Sequence, residues 1–228
     1  MTNFNRYLLC VLFALFSCWF TTAGSAPSAE TGRADLHPLR ASHNLVSLGN
    51  PQLNTRLSKG KFLVASRQLT DPRFTEAVIL LIQHDSNGTV GLIVNRPTKL
   101  KLADLVPDIK EQPGREHVTY IGGPVGINQV FLLIRSQNKP EESERIFDDI
   151  YVSVSRSVLE QLIKKPAGKE TFRAYAGYAG WGAGQLEREV LMGGWQVTGA
   201  DAETIFKKPS SEIWQDLNRE NEPGHIDI

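Results

Sequence analysis

The chain is short of reactive side chains. Its only cysteines, Cys10 and Cys18, lie in an N-terminal apolar run, and none follows in the rest of the 228 residues. Beyond that run the chain can form no internal disulfide, offer no thiolate nucleophile and build no cysteine-containing zinc site. Histidine is sparse too, at 5 residues. His84, His117 and His225 lack the His-x3-His spacing of a zinc site, and His37 with His43 lacks a third ligand. No Gly-x-Ser-x-Gly is present, which excludes a nucleophile elbow. Gly60-Lys61 is followed by Phe62 and has no upstream glycine in phase, so there is no P-loop. Gly182-Ala183-Gly184 runs on into Gln185-Leu186-Glu187, so the third glycine of a dinucleotide fingerprint is missing. An excess of charge is also absent. Lys and Arg total 25 against 25 Asp and Glu, which gives no electrostatic reason to expect nucleic acid or an acidic lipid surface as partner. No cofactor is expected.

What remains is ordinary globular material, 41% hydrophobic and 22% charged. That suffices for a core in a domain of about 150 residues or more. The N-terminus reads differently from the body. Arg6 precedes the apolar run Tyr7 to Phe20, and small residues follow from Thr21 to Ala26. A positive start, an apolar run and a small-residue exit are the parts of a secretory signal. The run is short for a bilayer-spanning helix, which needs about 20 residues. The expected organisation is a signal peptide over 1–25, a flexible lead over 26–59, a single domain over 60–220 and a tail over 221–228. An exported protein, periplasmic or secreted, follows from that reading. A rival uses Leu15-Phe16-Ser17-Cys18 as a lipoprotein signal, although Phe16 fits it poorly. Membrane contact is expected only through this segment, if it is retained or lipidated. Removing residues 1–25 takes away Arg6 and no acid, leaving a formal charge of −1.

From Lys61 the pattern changes to strands. Phe62 to Ala65 is a short apolar run before Asp71-Pro72. Ala77 to Ile82 is apolar on both faces, as in a fully buried strand. Asp85-Ser86-Asn87-Gly88 then predicts a tight hairpin leading to Thr89–Asn95, with Asn-Gly supplying positive φ. Pro97 should stop that strand. Helical spacing follows over Leu100–Val106, limited by Pro107. Strands are expected at Val118–Ile121, Val130–Ile134, Ile150–Val154 and Phe172–Tyr178, with an exposed loop over Ser136–Glu144. Helices are expected over Arg156–Lys164 after a Ser155 cap, over Gln185–Met192 ended by Gly193-Gly194, after Asp201, and after Ser210 or Ser211. Trp195–Val197 reads as extended. Strands dominate without regular βαβ alternation, which indicates an α+β fold.

Three places carry candidate chemistry. Asn95-Arg96 at a strand end can bind a carboxylate or phosphate, Arg by paired bonds, or else can cap a turn and pair on the surface. Gly122-Gly123 before Pro124 can turn N–H groups toward an anion, or can simply make a tight turn. The stretch Gly177–Glu187 places four glycines around Trp181 where strand passes into helix. Its helix N-terminus favours an anion and Trp181 offers a stacking face, with Gln185 and Glu187 behind; alternatively Trp181 plugs the core. Glu187 and Glu189 are possible bases, but two apart on a helix they face different ways.

These segments together resemble a known family. Leu63-Val64-Ala65, Asp71-Pro72-x-Phe74, Gln83 to Pro97, Gly122-Gly123-Pro124-Val125, Gly177 to Glu187 with Glu189, and Trp195 occur in this order, as in the YqgE/AlgH family, also called UPF0301. The resemblance covers about Gly60 to Leu217. It implies an α+β fold with a bifurcated, barrel-like β-sheet and flanking helices, and no established reaction. Some relatives are linked to regulation of gene expression, exopolysaccharide production included. The shared positions transfer as Asn95, Arg96, Gly122, Gly123, Pro124, Gly180, Trp181, Gly184, Gln185 and Glu187. Three departures stand out: Ser66-Arg67 where relatives usually have Pro, Leu133-Ile134 where they carry Leu-His, and Met192-Gly193-Gly194 before Trp195 where Asp-Asn is common. Family members are typically cytoplasmic, the alternative to export. The expected function is a binding or regulatory module whose surface groove takes a small anion or a protein partner. The alternative is a hydrolase acting on an anionic small substrate through Asn95, Arg96 and Glu187.

Overall fold

The computed structural model describes residues 56–106, 117–164 and 172–220. The signal-like segment, the lead up to residue 55 with His37 and His43, and the tail with His225 lie outside the described residues. No helix among the described residues is long and apolar enough to cross a membrane.

Ten strands and five short helices make up the described chain. In order they are β1 (Lys61–Ala65), β2 (Val78–Asp85), β3 (Gly88–Ile93), β4 (Pro97–Lys101), α1 (Leu102–Leu105), β5 (Val118–Ile121), β6 (Val125–Arg135), β7 (Glu144–Phe147), β8 (Ile150–Ser153), α2 (Arg156–Lys164), β9 (Phe172–Gly182), α3 (Gln185–Leu191), β10 (Trp195–Gly199), α4 (Ala202–Phe206) and α5 (Ser210–Glu220). All ten strands join one curled, mostly antiparallel sheet of order β10-β1-β2-β3-β9-β6-β8-β7, with β5 and β4 branching from β9. The expected α+β class with a bifurcated, half-barrel sheet is what the chain adopts.

β9 is the branch point. One edge pairs with β6. The other edge changes partner midway. Ala174–Ala176 pair in parallel with Thr119–Ile121 of β5, and Ala179–Gly182 pair antiparallel with Gly88–Gly91 of β3. Gly177 sits at the change with φ of +71°, a conformation that L side chains rarely adopt. Gly122 lies in the fork. Its N–H donates to the Ala176 carbonyl at 2.8 Å and its carbonyl accepts from Ile93 N–H at 2.8 Å, stitching β3 to β9 where the ladders part. A Cβ on Gly122 would stand 2.2 Å from the Gly177 carbonyl oxygen, and one on Gly123 would stand 2.1 Å from the Tyr178 carbonyl carbon. Backbone meets backbone there, and only glycine fits.

Two apolar clusters flank the sheet. Leu63, Ile79, Leu81 and Ile93 alternate inward with Trp181, Leu186 and Trp195, and α3 covers them. Leu132, Ile134, Phe172 and Ala174 pack against Val158, Leu159 and Ile163 of α2. Those three positions fall on one helical face. Leu133 and Ile134, where the resemblance implies Leu-His, are both core residues. Trp214 of α5 donates its indole N–H to the Ala65 carbonyl at 2.7 Å, which ties the last helix to β1.

Some local expectations need correction. The hairpin loop is Ser86-Asn87, and neither residue has positive φ; Gly88, at φ +140°, opens β3 instead. Asn87 N–H bonds the Asp85 carboxylate at 2.7 Å, a side-chain turn that replaces the expected backbone one. Pro97 ends one strand but begins another. β4 starts at Pro97 because the first residue of an edge strand needs no N–H partner, so the helix over Leu100–Val106 shrinks to α1. Asp104 caps it by accepting from Lys101 N–H at 2.7 Å. β7 emerges from what reads as the end of a polar loop, because a charged edge strand resembles a loop in composition. Ser155 precedes α2, but its hydroxyl donates to the Glu142 carboxylate. Asp201 caps α4 as expected, accepting from Thr204 N–H at 2.8 Å.

The fork yields a direct test. Gly123→Ala is expected to cost about 3 kcal/mol or more, because β9 backbone must shift to admit a methyl group. Gly199→Ala has no atom within 4 Å of the added carbon and should stay within about 0.5 kcal/mol of wild type. Urea denaturation of both variants measures the difference, and equal stabilities would contradict the steric account.

Candidate functional site

Two of the candidate side chains, Asn95 and Arg96, meet the loop between β1 and β2. Residues 71–77 carry several backbone groups that no strand satisfies. Asn95 and Arg96, leaving β3, take three of the loop's carbonyls. The Asn95 carboxamide accepts from Val78 N–H at 2.9 Å and donates to the Glu76 carbonyl at 2.8 Å, extending the β2–β3 pairing by one side chain. Glu76 itself has φ of +53°. The Arg96 guanidinium donates to the Arg73 carbonyl and, at 2.8 Å, to the Thr75 carbonyl. Burial lowers its pKa from the ordinary value, but a guanidinium remains charged at any physiological pH. Asp71 closes the loop from the other side. Its carboxylate accepts from Arg73 N–H at 2.9 Å and pairs with the Arg73 guanidinium at 2.7 Å, and these bonds hold its pKa below the usual range.

The loop presents Phe74. Its ring stacks near-parallel on Trp181, centroids 6.2 Å apart, and meets Trp195 edge-on at 5.6 Å. Trp181 and Trp195 meet at 6.0 Å and 84°. Both indoles are buried, at 6% and 3% exposure, so Trp181 belongs to the core and lends no open face to a ligand. Each indole donates to one oxygen of Glu189, at 3.0 and 2.9 Å. The second Glu189 oxygen accepts from the Gln185 amide at 3.0 Å, and Gln185 accepts in turn from Gly182 N–H at 3.2 Å. A buried Trp needs an acceptor for its N–H, and here one carboxylate serves two.

Glu189 is the residue that sequence reasoning undervalued. Two tryptophans, each close in sequence to one acid-bearing helix, were the available signal. Glu187 faces elsewhere, as the helical spacing predicts. It is partly exposed and stands 3.9 Å from His84 Nε2, while His84 Nδ1 lies 2.8 Å from the Thr89 hydroxyl. Asn95 and Arg96 point at carbonyls 73, 75 and 76; Glu187 points at His84. The three are not gathered around a common point. Gly122 and Gly123 belong to the fork, with the Gly122 N–H directed at β9 rather than at a ligand. Among the described residues no group of three acidic, histidine or cysteine side chains is placed to hold a metal ion.

Glu189→Gln keeps the shape but puts an amide N–H against donors. It is expected to destabilise the fold by about 1–3 kcal/mol and to change tryptophan fluorescence. Glu187→Gln, two positions away, should stay within about 0.5 kcal/mol. Chemical denaturation followed by fluorescence reads both, and the opposite ranking would refute the assignment.

The comparisons agree with this architecture. A family model described as AlgH-like (DUF179) matches residues 62–223. UPF0301 protein IL2218 of Idiomarina loihiensis is 37% identical over 158 residues, 67% of this chain and 85% of that protein. A UPF0301 protein of Coxiella burnetii is 35% identical over 167 residues, covering 72% and 88%. Among solved structures, the solution structure of AlgH from Pseudomonas aeruginosa aligns with a TM-score of 0.61 at 30% identity, over 74% of this chain and 95% of that one. The crystal structure of DIP2367 from Corynebacterium diphtheriae shares the fold with a TM-score of 0.62 at 24% identity, over 74% and 89%. A sheet that forks at Gly122-Gly123 and Gly177, a Phe74 loop clamped by Asn95-Arg96 and a Trp181–Glu189–Trp195 lock are thus how this sequence builds a shared fold: the chain belongs to the AlgH-like family, UPF0301.

Proposed function

We propose that the chain is a non-enzymatic binding or regulatory module that recognises a protein partner through the outer face of α3. The supporting observation is the division of labour on that helix. Its inner face, with Leu186 and Glu189, locks the tryptophans. Its outer face carries Arg188, Leu191 and Met192, at the i, i+3 and i+4 spacing of one helical surface. Leu191 is 83% exposed and Met192 76% exposed, far beyond what folding requires of large apolar side chains. Arg and Met beside an aliphatic residue are the composition that protein interfaces favour. A helix tied down by Glu189 to two buried indoles presents that face without an ordering cost on binding. The hydrolase alternative has weaker support. It needs Asn95, Arg96 and Glu187 around one reacting atom, while the hydrogen bonds of Asn95 and Arg96 are committed to the loop over 73–78. Export through residues 1–25 belongs to the same proposal, as the compartment in which the partner is met.

Two experiments test this. A photo-crosslinking residue at Met192, expressed in the native cell, is expected to give a discrete adduct that one at Glu160 on α2 does not. Leu191→Asp should abolish that adduct while the melting temperature moves by less than about 2 °C. No adduct, or one indifferent to Leu191→Asp, would remove the α3 face. For the compartment, fractionation with N-terminal sequencing should recover a chain beginning near residue 26 outside the cytoplasm; an intact Met1 in the cytosolic fraction would sink export.

A further inference from the structure

Three strands, β4, β7 and β10, pair with a single neighbour among the described residues. An open edge is a template for another chain, and proteins usually blunt it with proline, charge, irregular pairing or a covering contact. β4 opens with Pro97, and its Leu100 and Lys101 N–H groups donate to the Thr98 hydroxyl and the Asp104 carboxylate at 3.0 and 2.7 Å. β7 carries Glu144 and Arg145, shifts register between Arg145 and Phe147, and is tied to Lys59 through Glu144 at 2.6 Å. β10 has none of these devices. Its sequence Trp195-Gln196-Val197-Thr198-Gly199 holds no charge and no proline, and its pairing with β1 runs over five consecutive positions without a shift.

The ladder fixes where the β10 backbone groups point. Ala200 N–H donates to the Gly60 carbonyl at 3.4 Å and Ser66 N–H to the Gly194 carbonyl at 3.0 Å, both in register with the β1–β10 pairing. Hydrogen-bonded pairs alternate along an antiparallel ladder, so Gln196 and Thr198 are the residues of β10 that bond to β1. The N–H and C=O groups of Trp195, Val197 and Gly199 therefore point away from β1, and no described backbone group bonds them. Gly199 is exposed, and a Cβ there would meet nothing within 4 Å.

We propose that this edge pairs with the same edge of a second copy of the chain, antiparallel about a two-fold axis at Val197. The edge is self-complementary. Val197 meets Val197, and Trp195 of each copy meets Gly199 of the other, so all three outward residues become hydrogen-bonded pairs. Gln196 of each copy lies opposite Thr198 of the other, and no like charges meet. A short strand pair covers little area, whereas a stable interface buries about 1,200–2,000 Å². The exposed Leu191 and Met192 at the end of α3 supply apolar surface beside it. They precede β10 by the Gly193-Gly194 turn, so the chain leaving β10 of one copy runs past them in the other. For these flanks the inference rests on the α3 reading and names a second copy as the partner.

Sedimentation equilibrium of the full chain, from dilute solution to about 100 μM, is expected to show a reversible dimer, since a small interface gives micromolar affinity. Hydrogen exchange at the higher concentration should be about tenfold or more slower at the Trp195, Val197 and Gly199 amides than in dilute protein, with Gln196 and Thr198 protected in both. Val197→Pro removes the N–H at the two-fold and spares the bonds to β1, so it should abolish the dimer with circular dichroism unchanged. Leu191→Asp should weaken the dimer about tenfold. A dimer whose Trp195, Val197 and Gly199 amides exchange as in dilute protein, or one that survives Val197→Pro, would overturn the pairing. A monomer at every concentration would overturn it too, leaving the edge to a foreign strand and the α3 reading to its crosslinking test. A dimer with protected amides that ignores Leu191→Asp would uphold the strand pairing and remove α3 from it.

Discussion

Close backbone contact at one fork governs this protein. β9 must pair with β6 along one edge and with both β5 and β3 along the other. That is possible only if the β5–β6 turn enters the space between the diverging strands. Gly122 and Gly123 enter it with their main chains touching that of β9, and Gly177 bends β9 where its partner changes. A side chain at any of the three would push the ladders apart. The two apolar clusters, the curl of the sheet and the placement of α3 just past the end of β9 all follow from that junction.

Several of the motif segments form one mechanical unit. Asn95 and Arg96 hold the loop over 71–77, the loop holds Phe74, Phe74 closes over Trp181 and Trp195, and Glu189 ties both indoles to α3. Residues that look like an anion site in one dimension serve as hydrogen-bond donors and acceptors for a loop that no strand accommodates.

Much of the fold was legible because its signals are local. The apolar runs of β1, β2, β3 and β6, the α2 face of Val158, Leu159 and Ile163, and the Asp201 cap each depend on neighbours within a turn or a strand. The errors share a different cause. β4 after Pro97 and the charged edge strand β7 exist only because a partner strand is adjacent, and composition near the position carries no trace of that partner. The hairpin turn moved by one residue because Asp85 offered a side-chain bond that competes with positive φ at Asn87.

By itself the sequence determined the class of fold, the order of most elements, the absence of cysteine chemistry in the body and the family. Those rest on periodicity, turn chemistry and an ordered set of motifs, which are properties of neighbouring residues. Tertiary structure alone decided what the motif residues do. Whether Trp181 stacks on a ligand or on Phe74, whether Gly122 cradles an anion or β9, and whether Arg96 binds an anion or the carbonyls of a loop depend on contacts between residues far apart in the chain. Hydrogen-bond capacity is used up by whichever partner the fold brings close, and one-dimensional spacing does not say which partner that is.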